Sequence, residues 1–199
     1  MIGLMGGTFN PIHYGHLLMC DTIREEFKIE KIIFMPAKNP PHKDLTEVVN
    51  AGDRFEMVRL AIKDNPHFEV SDIEMKRPGA SYTVDTLRAL AGIYGPDKKP
   101  GLIIGADSLL QIKAWKSYQE ILSLAVMIVA SRPDTDEERL AKTIDELEQF
   151  YHAQVLKSSS RAMDYSSTEI RERVHRGLSI KYRVPPGVEA YIYEKGLYR

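Results

Sequence analysis

Several shortages in this 199-residue sequence narrow its chemistry before any motif is considered. It has a single cysteine, Cys20, which excludes an intrachain disulfide and a cysteine-rich zinc site. One thiol also suits a reducing compartment. The formal net charge is only −1, so no global field draws the chain to nucleic acid or to an anionic membrane, and neither is expected as a partner. Any phosphate binding must come from a local cluster of donors. No uncharged apolar run approaches the roughly 18 residues of a membrane span. The opening Met1-Ile2-Gly3-Leu4-Met5 has no basic segment before it and is too short for a secretion signal, so a cytoplasmic location is expected. Internal repeats, low-complexity tracts and a linker long enough to divide the chain are all missing. So are the Gly-Lys-Ser/Thr of a P-loop, the Gly-x-Gly-x-x-Gly of dinucleotide folds and any obvious catalytic triad.

What is present reads as a folded α/β protein. With 43% hydrophobic and 28% charged residues the chain can bury a core and stay soluble. Short apolar runs at Met1 to Met5, Lys31 to Met35, Phe68 to Ile73, Leu102 to Ile104, Ala125 to Ala130 and Gln154 to Leu156 predict strands. Between them lie helical periods such as Val84, Leu87, Ala91 and Tyr94. This alternation predicts βαβ units: a doubly wound, mainly parallel sheet with helices on both faces, in a single domain over 1–199. A C-terminal helical portion is expected over about 165–199, broken at Pro185, Pro186 and Gly187. The acidic run Asp134, Asp136, Glu137 and Glu138 fits a solvated helix start better than a metal site. Ligands of such sheets bind beyond the carboxyl ends of the strands, so the loops after each strand are the place to look.

The first such loop carries the most information: Gly6-Gly7-Thr8-Phe9-Asn10-Pro11-Ile12-His13-Tyr14-Gly15-His16. Two glycines after the strand allow a tight turn and close backbone approach to a ligand. His13 and His16 stand at the start of the following helix, where backbone N–H groups and the helix dipole favour an anion. A His-x-x-His pair can also ligate zinc, but the His-Glu-x-x-His form and a third ligand are missing, which favours phosphate. Near the other end, Ser166-Ser167-Thr168-Glu169-Ile170-Arg171 has the Ser-x-x-Glu spacing of a capping box. The same Ser/Thr-rich helix start with its arginine also suits phosphate oxygens. After the second strand, Asn39-Pro40-Pro41-His42-Lys43 adds local positive charge together with Lys38.

The first of these segments resembles the His-x-Gly-His signature of the nucleotidyltransferase superfamily, and the second its Ser-Ser-Thr-x-Ile-Arg signature. Ser81-Tyr82-Thr83-Val84-Asp85-Thr86-Leu87, Ile104-Gly105-Ala106-Asp107-Ser108-Leu109 with Trp115, and Ser131-Arg132-Pro133 extend the match. Together these segments are similar to the bacterial nicotinate-mononucleotide adenylyltransferases, from Met1 to Tyr198. The sequence departs from that family's pattern at Asp134, where a glycine often follows Arg-Pro, and at Tyr165, where an aliphatic residue is common before Ser-Ser-Thr. The resemblance implies a Rossmann-like fold, with ATP and nicotinate mononucleotide as substrates, and deamido-NAD and pyrophosphate as products. It implies catalytic roles for His13, His16 and Arg171. These three, with Gly7, Thr8, Phe9, Gly105, Asp107, Arg132, Ser167 and Thr168, would bind ATP. Asn39, Lys43, Tyr82, Thr83 and Trp115 would bind the mononucleotide. Mg²⁺ would enter with ATP, and no protein metal ligand is expected.

Two of these residues have ordinary alternatives. Asp107 suits a helix N-cap as well as a ribose hydroxyl. Trp115, beside Leu109, Leu110 and Ile112, suits core packing as well as stacking on a cationic pyridine ring. The attacking group would be the substrate's own phosphate, largely dianionic at pH 7, so no serine, cysteine or general base is required. The alternatives are an adenylyl- or cytidylyltransferase acting on nicotinamide mononucleotide or phosphopantetheine, and a non-catalytic nucleotide-sensing domain. A homo-oligomer stays open.

Overall fold

Strands and helices alternate along the chain as the apolar pattern predicts. The computed structural model describes residues 1–41, 46, 48–95, 98–131, 135–160 and 165–199. Its strands are β1 (Ile2–Gly7), β2 (Lys31–Pro36), β3 (Phe68–Val70), β4 (Gly101–Gly105), β5 (Val126–Ala130) and β6 (Gln154–Ser158). The helices are α1 (Tyr14–Glu26), α2 (Ala51–Ile62), α3 (Ile73–Lys76), α4 (Thr83–Tyr94), α5 (Ala106–Leu110), α6 (Tyr118–Leu124), α7 (Glu137–Tyr151), α8 (Ser167–His175) and α9 (Pro186–Lys195). The six strands form one sheet in the order β3-β2-β1-β4-β5-β6.

Parallel pairing runs from β1 to β4, β4 to β5 and β5 to β6, with Gly101, Val126 and Gln154 level at one end and Gly105, Ala130 and Ser158 level at the other. Successive strand residues point to opposite faces. In β2 Ile32 to Pro36 are all buried, and in β4 Gly101 to Ile104, so both faces of these strands are covered. That is the arrangement a continuously apolar strand requires.

The chain gathers into two compact units: Met1–Gly6, Met19–Ile32 and Tyr82–Ala162 in the first, and Gly7–Leu18, Ile33–Ser81 and Met163–Arg199 in the second. The first unit buries Leu87, Ile103, Leu109, Ile112, Ile121, Leu122, Met127 and Ile128, each at 2% exposure or less. Full burial of one such side chain contributes about 1.5–3 kcal/mol. Cys20 is fully buried there, and burial pushes its thiol up, which makes it inert. The acidic run is indeed a helix start: Asp136 caps α7 by accepting from the Arg139 N–H, and Glu137 and Glu138 fill the first turn. Asp134 lies outside the described residues.

The second unit packs α2 against α9 and β3, with Met57 and Val58 buried on α2 and Val188 and Ile192 on α9. The structure corrects the expected strand Phe68 to Ile73. It stops at Val70, and Ile73 opens the short helix α3 behind Asp72. Ser71 and Asp72 interrupt the apolar run, and both are turn formers that compete with a ladder.

Candidate active site

The loop after β1 is built around an inward aromatic ring. A Cβ on Gly7 would lie 2.9 Å from Phe9 Cζ, so only glycine leaves room for that ring. Phe9 itself takes a left-handed backbone conformation with φ 48° while its side chain is 2% exposed. Few non-glycine residues adopt that region, and they persist there only when their surroundings fix them. Here the ring meets Phe34 at 5.9 Å between centroids and His16 at 5.2 Å, the latter nearly perpendicular to it.

The two histidines are brought face to face. Their ring centroids are 3.7 Å apart with the planes 24° from parallel. His13 is buried, at 6% exposure, and His16 is half-buried at the start of α1. The His13 backbone N–H donates to His16 Nδ1 at 3.3 Å. In the neutral ring this places the His16 proton on Nε2, leaving that nitrogen a donor. Gly15 makes the stack possible, since a Cβ there would lie 3.1 Å from His13 Nδ1 and 3.0 Å from the Tyr165 Cβ. Tyr165 stacks on His13 at 6.2 Å, so the tyrosine ahead of Ser-Ser-Thr has a place against the histidines.

The second motif is hydrogen-bonded directly to the first. Ser167 Oγ donates to the Pro11 carbonyl at 2.8 Å, across 156 residues of chain. Arg171 Nη1 donates to the Asn10 carbonyl at 3.0 Å, and its Nη2 reaches Thr168 Oγ1 at 3.4 Å. Ser166 caps α8, accepting from the Thr168 and Glu169 N–H groups. Glu169 does not complete a reciprocal capping box through a bond back to Ser166; it accepts instead from Arg183 Nε at 3.0 Å. Ser166 is thus the helix cap, while Ser167 and Arg171 tie that helix to the histidine loop.

Asn39 lies after β2 in the same unit. Its backbone N–H and that of Lys38 donate to Ser81 Oγ, and its side-chain amide donates to the Gly79 carbonyl at 3.0 Å. His42 and Lys43 lie outside the described residues. Three residues the motifs did not single out complete this unit. Arg54 is 1% exposed and donates to the carbonyls of Thr8 (2.7 Å), Lys38 (3.0 Å) and Val49 (3.0 Å). Asn10, 6% exposed, accepts at Oδ1 from Tyr198 Oη at 3.0 Å and from the Val49 N–H at 3.3 Å. Burial pushes the Tyr198 phenol up, which keeps it a neutral donor.

The remaining expected residues belong to the first unit. Gly105 ends β4 and is the N-cap of α5, so Asp107 is an exposed first-turn residue and not the cap. Trp115 closes a 3-10 turn over Ile112–Ala114 and is half-buried, whereas Leu109 and Ile112 beside it are core. That exposure sets Trp115 apart from the packing residues. Tyr82 is the N-cap of α4 and makes no side-chain cap. The N–H groups of Thr83 and Val84, the first two helical residues, have no intrahelical partner. Lys116 Nζ sits 4.4 Å from the Tyr82 ring centroid and 3.2 Å from Asp85 Oδ2, which also pairs with Arg88 through Oδ1 at 2.9 Å. Arg132 lies outside the described residues. Among the described residues no three His, Cys, Asp or Glu side chains are grouped for a metal ion, and no helix is long and apolar enough to cross a membrane.

Known proteins place the chain. A profile of cytidylyltransferase-like proteins matches residues 4–173. A Desulfitobacterium hafniense (strain DSM 10664 / DCB-2) protein named "Probable nicotinate-nucleotide adenylyltransferase" is 46% identical over 203 residues, covering 100% of this chain and 95% of that one. A protein of the same name from Thermoanaerobacter sp. (strain X514) is 43% identical over 198 residues, covering 100% and 94%. The solved structure of Plasmodium falciparum nicotinic acid mononucleotide adenylyltransferase complexed with NaAD shares the fold. It superposes with a TM-score of 0.79 at 20% identity, over 99% of this chain and 96% of that one. With matches of this extent, the chain belongs to the cytidylyltransferase-like family, among the nicotinate-nucleotide adenylyltransferases.

Proposed function

We infer that this chain transfers the AMP part of ATP to nicotinate mononucleotide, giving deamido-NAD and pyrophosphate, a step of NAD biosynthesis in the cytoplasm. The observation that carries the reaction type is the direct linkage of the two motifs. Ser167 to Pro11 and Arg171 to Asn10 tie a helix start and a guanidinium to the loop that carries the stacked histidines. The names of the relatives carry the choice of acceptor. We take residues 1–199 as one nucleotidyltransferase domain, with the helical portion from about 165 included.

The chemistry asks little covalent work of the protein. The acceptor's phosphate, mostly dianionic at pH 7, attacks the α-phosphorus of ATP, and pyrophosphate leaves. Catalysis then consists of aligning two anions and stabilising the charge that grows on the leaving group. In our reading His13, His16 and Arg171 supply that charge stabilisation. Gly7, Thr8 and Phe9 offer close backbone, and Ser167 and Thr168 offer hydroxyls at a helix start. Gly105, Asp107 and Arg132 serve the nucleoside side, with Asp107 accepting from a ribose hydroxyl. Asn39 and Lys43 meet the acceptor's phosphate. Tyr82 and Thr83 meet its carboxylate, and Trp115 stacks on its cationic ring. The Mg²⁺ that accompanies ATP is part of the substrate, held by phosphate oxygens and water.

One assay tests the inference. The protein is incubated with Mg²⁺-ATP and, separately, nicotinate mononucleotide, nicotinamide mononucleotide and phosphopantetheine, and the products are identified by mass. Deamido-NAD with one pyrophosphate per turnover is expected. Turnover confined to another acceptor would overturn the substrate, and no turnover with any acceptor would overturn the activity.

A further inference from the structure

Arg54 stands out because its charge is in an expensive place and what it meets there are backbone carbonyls. The guanidinium is 1% exposed, and among the described residues no carboxylate pairs with it. It lies at the fourth position of α2, where the helix dipole disfavours a cation. A buried charge is costly, and a hydrocarbon of similar volume would fill the space without that penalty. What the guanidinium does have is a fork of donors, each on a different carbonyl. Nη1 meets Thr8 in the loop after β1, Nη2 meets Lys38 in the loop after β2, and Nε meets Val49 ahead of α2.

The bond to Thr8 is the shortest of the three, at 2.7 Å, and it sets the direction of a peptide group. In a trans peptide the C=O of one residue and the N–H of the next point in opposite directions. Drawing the Thr8 carbonyl toward Arg54 therefore turns the Phe9 N–H away from it. Phe9 is also the residue held in the left-handed region at φ 48°, a conformation that needs outside enforcement. Among the described residues the Phe9 N–H meets no protein acceptor, so it is left as a fixed dipole on the side of the peptide away from Arg54. The Lys38 bond fixes the backbone of the second loop from the same guanidinium.

We propose that Arg54 is a positioning residue: one buried guanidinium that pins the Thr8 and Lys38 carbonyls, so that the Phe9 N–H faces the transferred phosphate and the two substrate loops hold their spacing. The proposal rests on the adenylyl-transfer function inferred above. Lysine cannot replace arginine in this role, since an ammonium on a straight stem does not present a planar fork to three carbonyls.

The test compares wild type, Arg54→Lys and Arg54→Ala in the product assay, with thermal melts alongside. Arg54→Lys should fold and lose about 10²-fold in kcat, the scale of one misplaced transition-state donor. Arg54→Ala should be slower still. Adding free guanidinium, which can enter the vacated space and bond the same carbonyls, should raise its kcat by about 10-fold over an equal concentration of methylammonium. A role in folding alone would lower the melting temperature without such chemical rescue. Wild-type kcat in folded Arg54→Lys would overturn the proposal, as would a folded Arg54→Ala that guanidinium does not rescue. Failure of Arg54→Lys to fold would reduce Arg54 to a folding residue, and that too would overturn it. A wild type that makes no dinucleotide would overturn the inferred function itself, a result separate from all of these.

Discussion

At the scale of single residues, the histidine pair shows how placement makes an ordinary side chain useful. His16 has its Nδ1 occupied by the His13 N–H, so its remaining nitrogen is a directed donor, and its ring is locked between Phe9 and His13. Little of the fold hangs on it, because it is only half-buried and its ring meets Phe9 and His13 of the same loop. His16→Ala should therefore lower kcat by roughly 10²-fold or more while the melting temperature scarcely moves. Steady-state kinetics and a thermal melt on one preparation check both halves, and near-normal turnover would remove His16 from the mechanism. The sequence alone made His13 and His16 conspicuous, because they stand at a helix start after a glycine turn, inside a segment that resembles a known signature. It could not make Arg54 conspicuous. Asp53-Arg54-Phe55-Glu56 reads as an ordinary charged helix surface, and only the folded backbone shows that Arg54 turns inward onto three carbonyls. Gly15 was legible as part of a motif but not in its reason, which is the ring of His13 lying 3.1 Å from any added Cβ.

At the scale of elements, the strands were legible wherever an apolar run was uninterrupted, as at Lys31 to Met35 and Ala125 to Ala130. The run from Phe68 misled because Ser71 and Asp72 end the ladder, and Ile73 belongs to a helix whose apolar face shares the same letters. Connections between elements were invisible. Glu26, the last residue of α1, accepts from Ser158 Oγ at 2.6 Å and from the Ser159 N–H at 2.9 Å, joining that helix to the end of β6. Burial alone would push the Glu26 carboxyl up, but the hydrogen bonds from Ser158 and Ser159 outweigh it and hold the group below its ordinary range. A carboxyl depressed in the folded state adds stability above its unfolded value of about 4.3, and that stability is lost as pH falls through the lower folded value. Glu26→Gln lacks the charge at every pH. Its melting temperature should therefore lie below wild type near pH 7, and the gap should close as pH drops below about 4. Melts of both proteins across that range decide the matter, and a gap that stays constant into acid would show that the bonds do not depend on the charge.

At the scale of the whole molecule, a chain with a formal net charge of −1 is asked to bring two anionic substrates together. The attraction has to come from placed donors, and the same holds for telling nicotinate from nicotinamide mononucleotide. These two differ only in a carboxylate against a carboxamide. The start of α4 supplies what could read that difference. Tyr82 makes no side-chain cap, and the Thr83 and Val84 N–H groups lack intrahelical partners. A carboxylate accepts from two such donors, whereas the amide turns an NH₂ toward one of them and leaves it unpaired. That mismatch costs roughly 1–3 kcal/mol, or about 5- to 150-fold in kcat/KM, before any help from the helix dipole. Trp115 should not share in the choice, because the two pyridine rings are equally cationic and an indole face attracts both. We therefore expect kcat/KM for the acid to exceed that for the amide by at least about 5-fold. Trp115→Ala should weaken both substrates while their ratio changes by less than about 3-fold. Measuring both constants in both proteins separates the contributions. Equal values in wild type would refute acid selectivity at α4, and a collapse of the ratio in Trp115→Ala would move the reading of the substituent from the helix start to the indole.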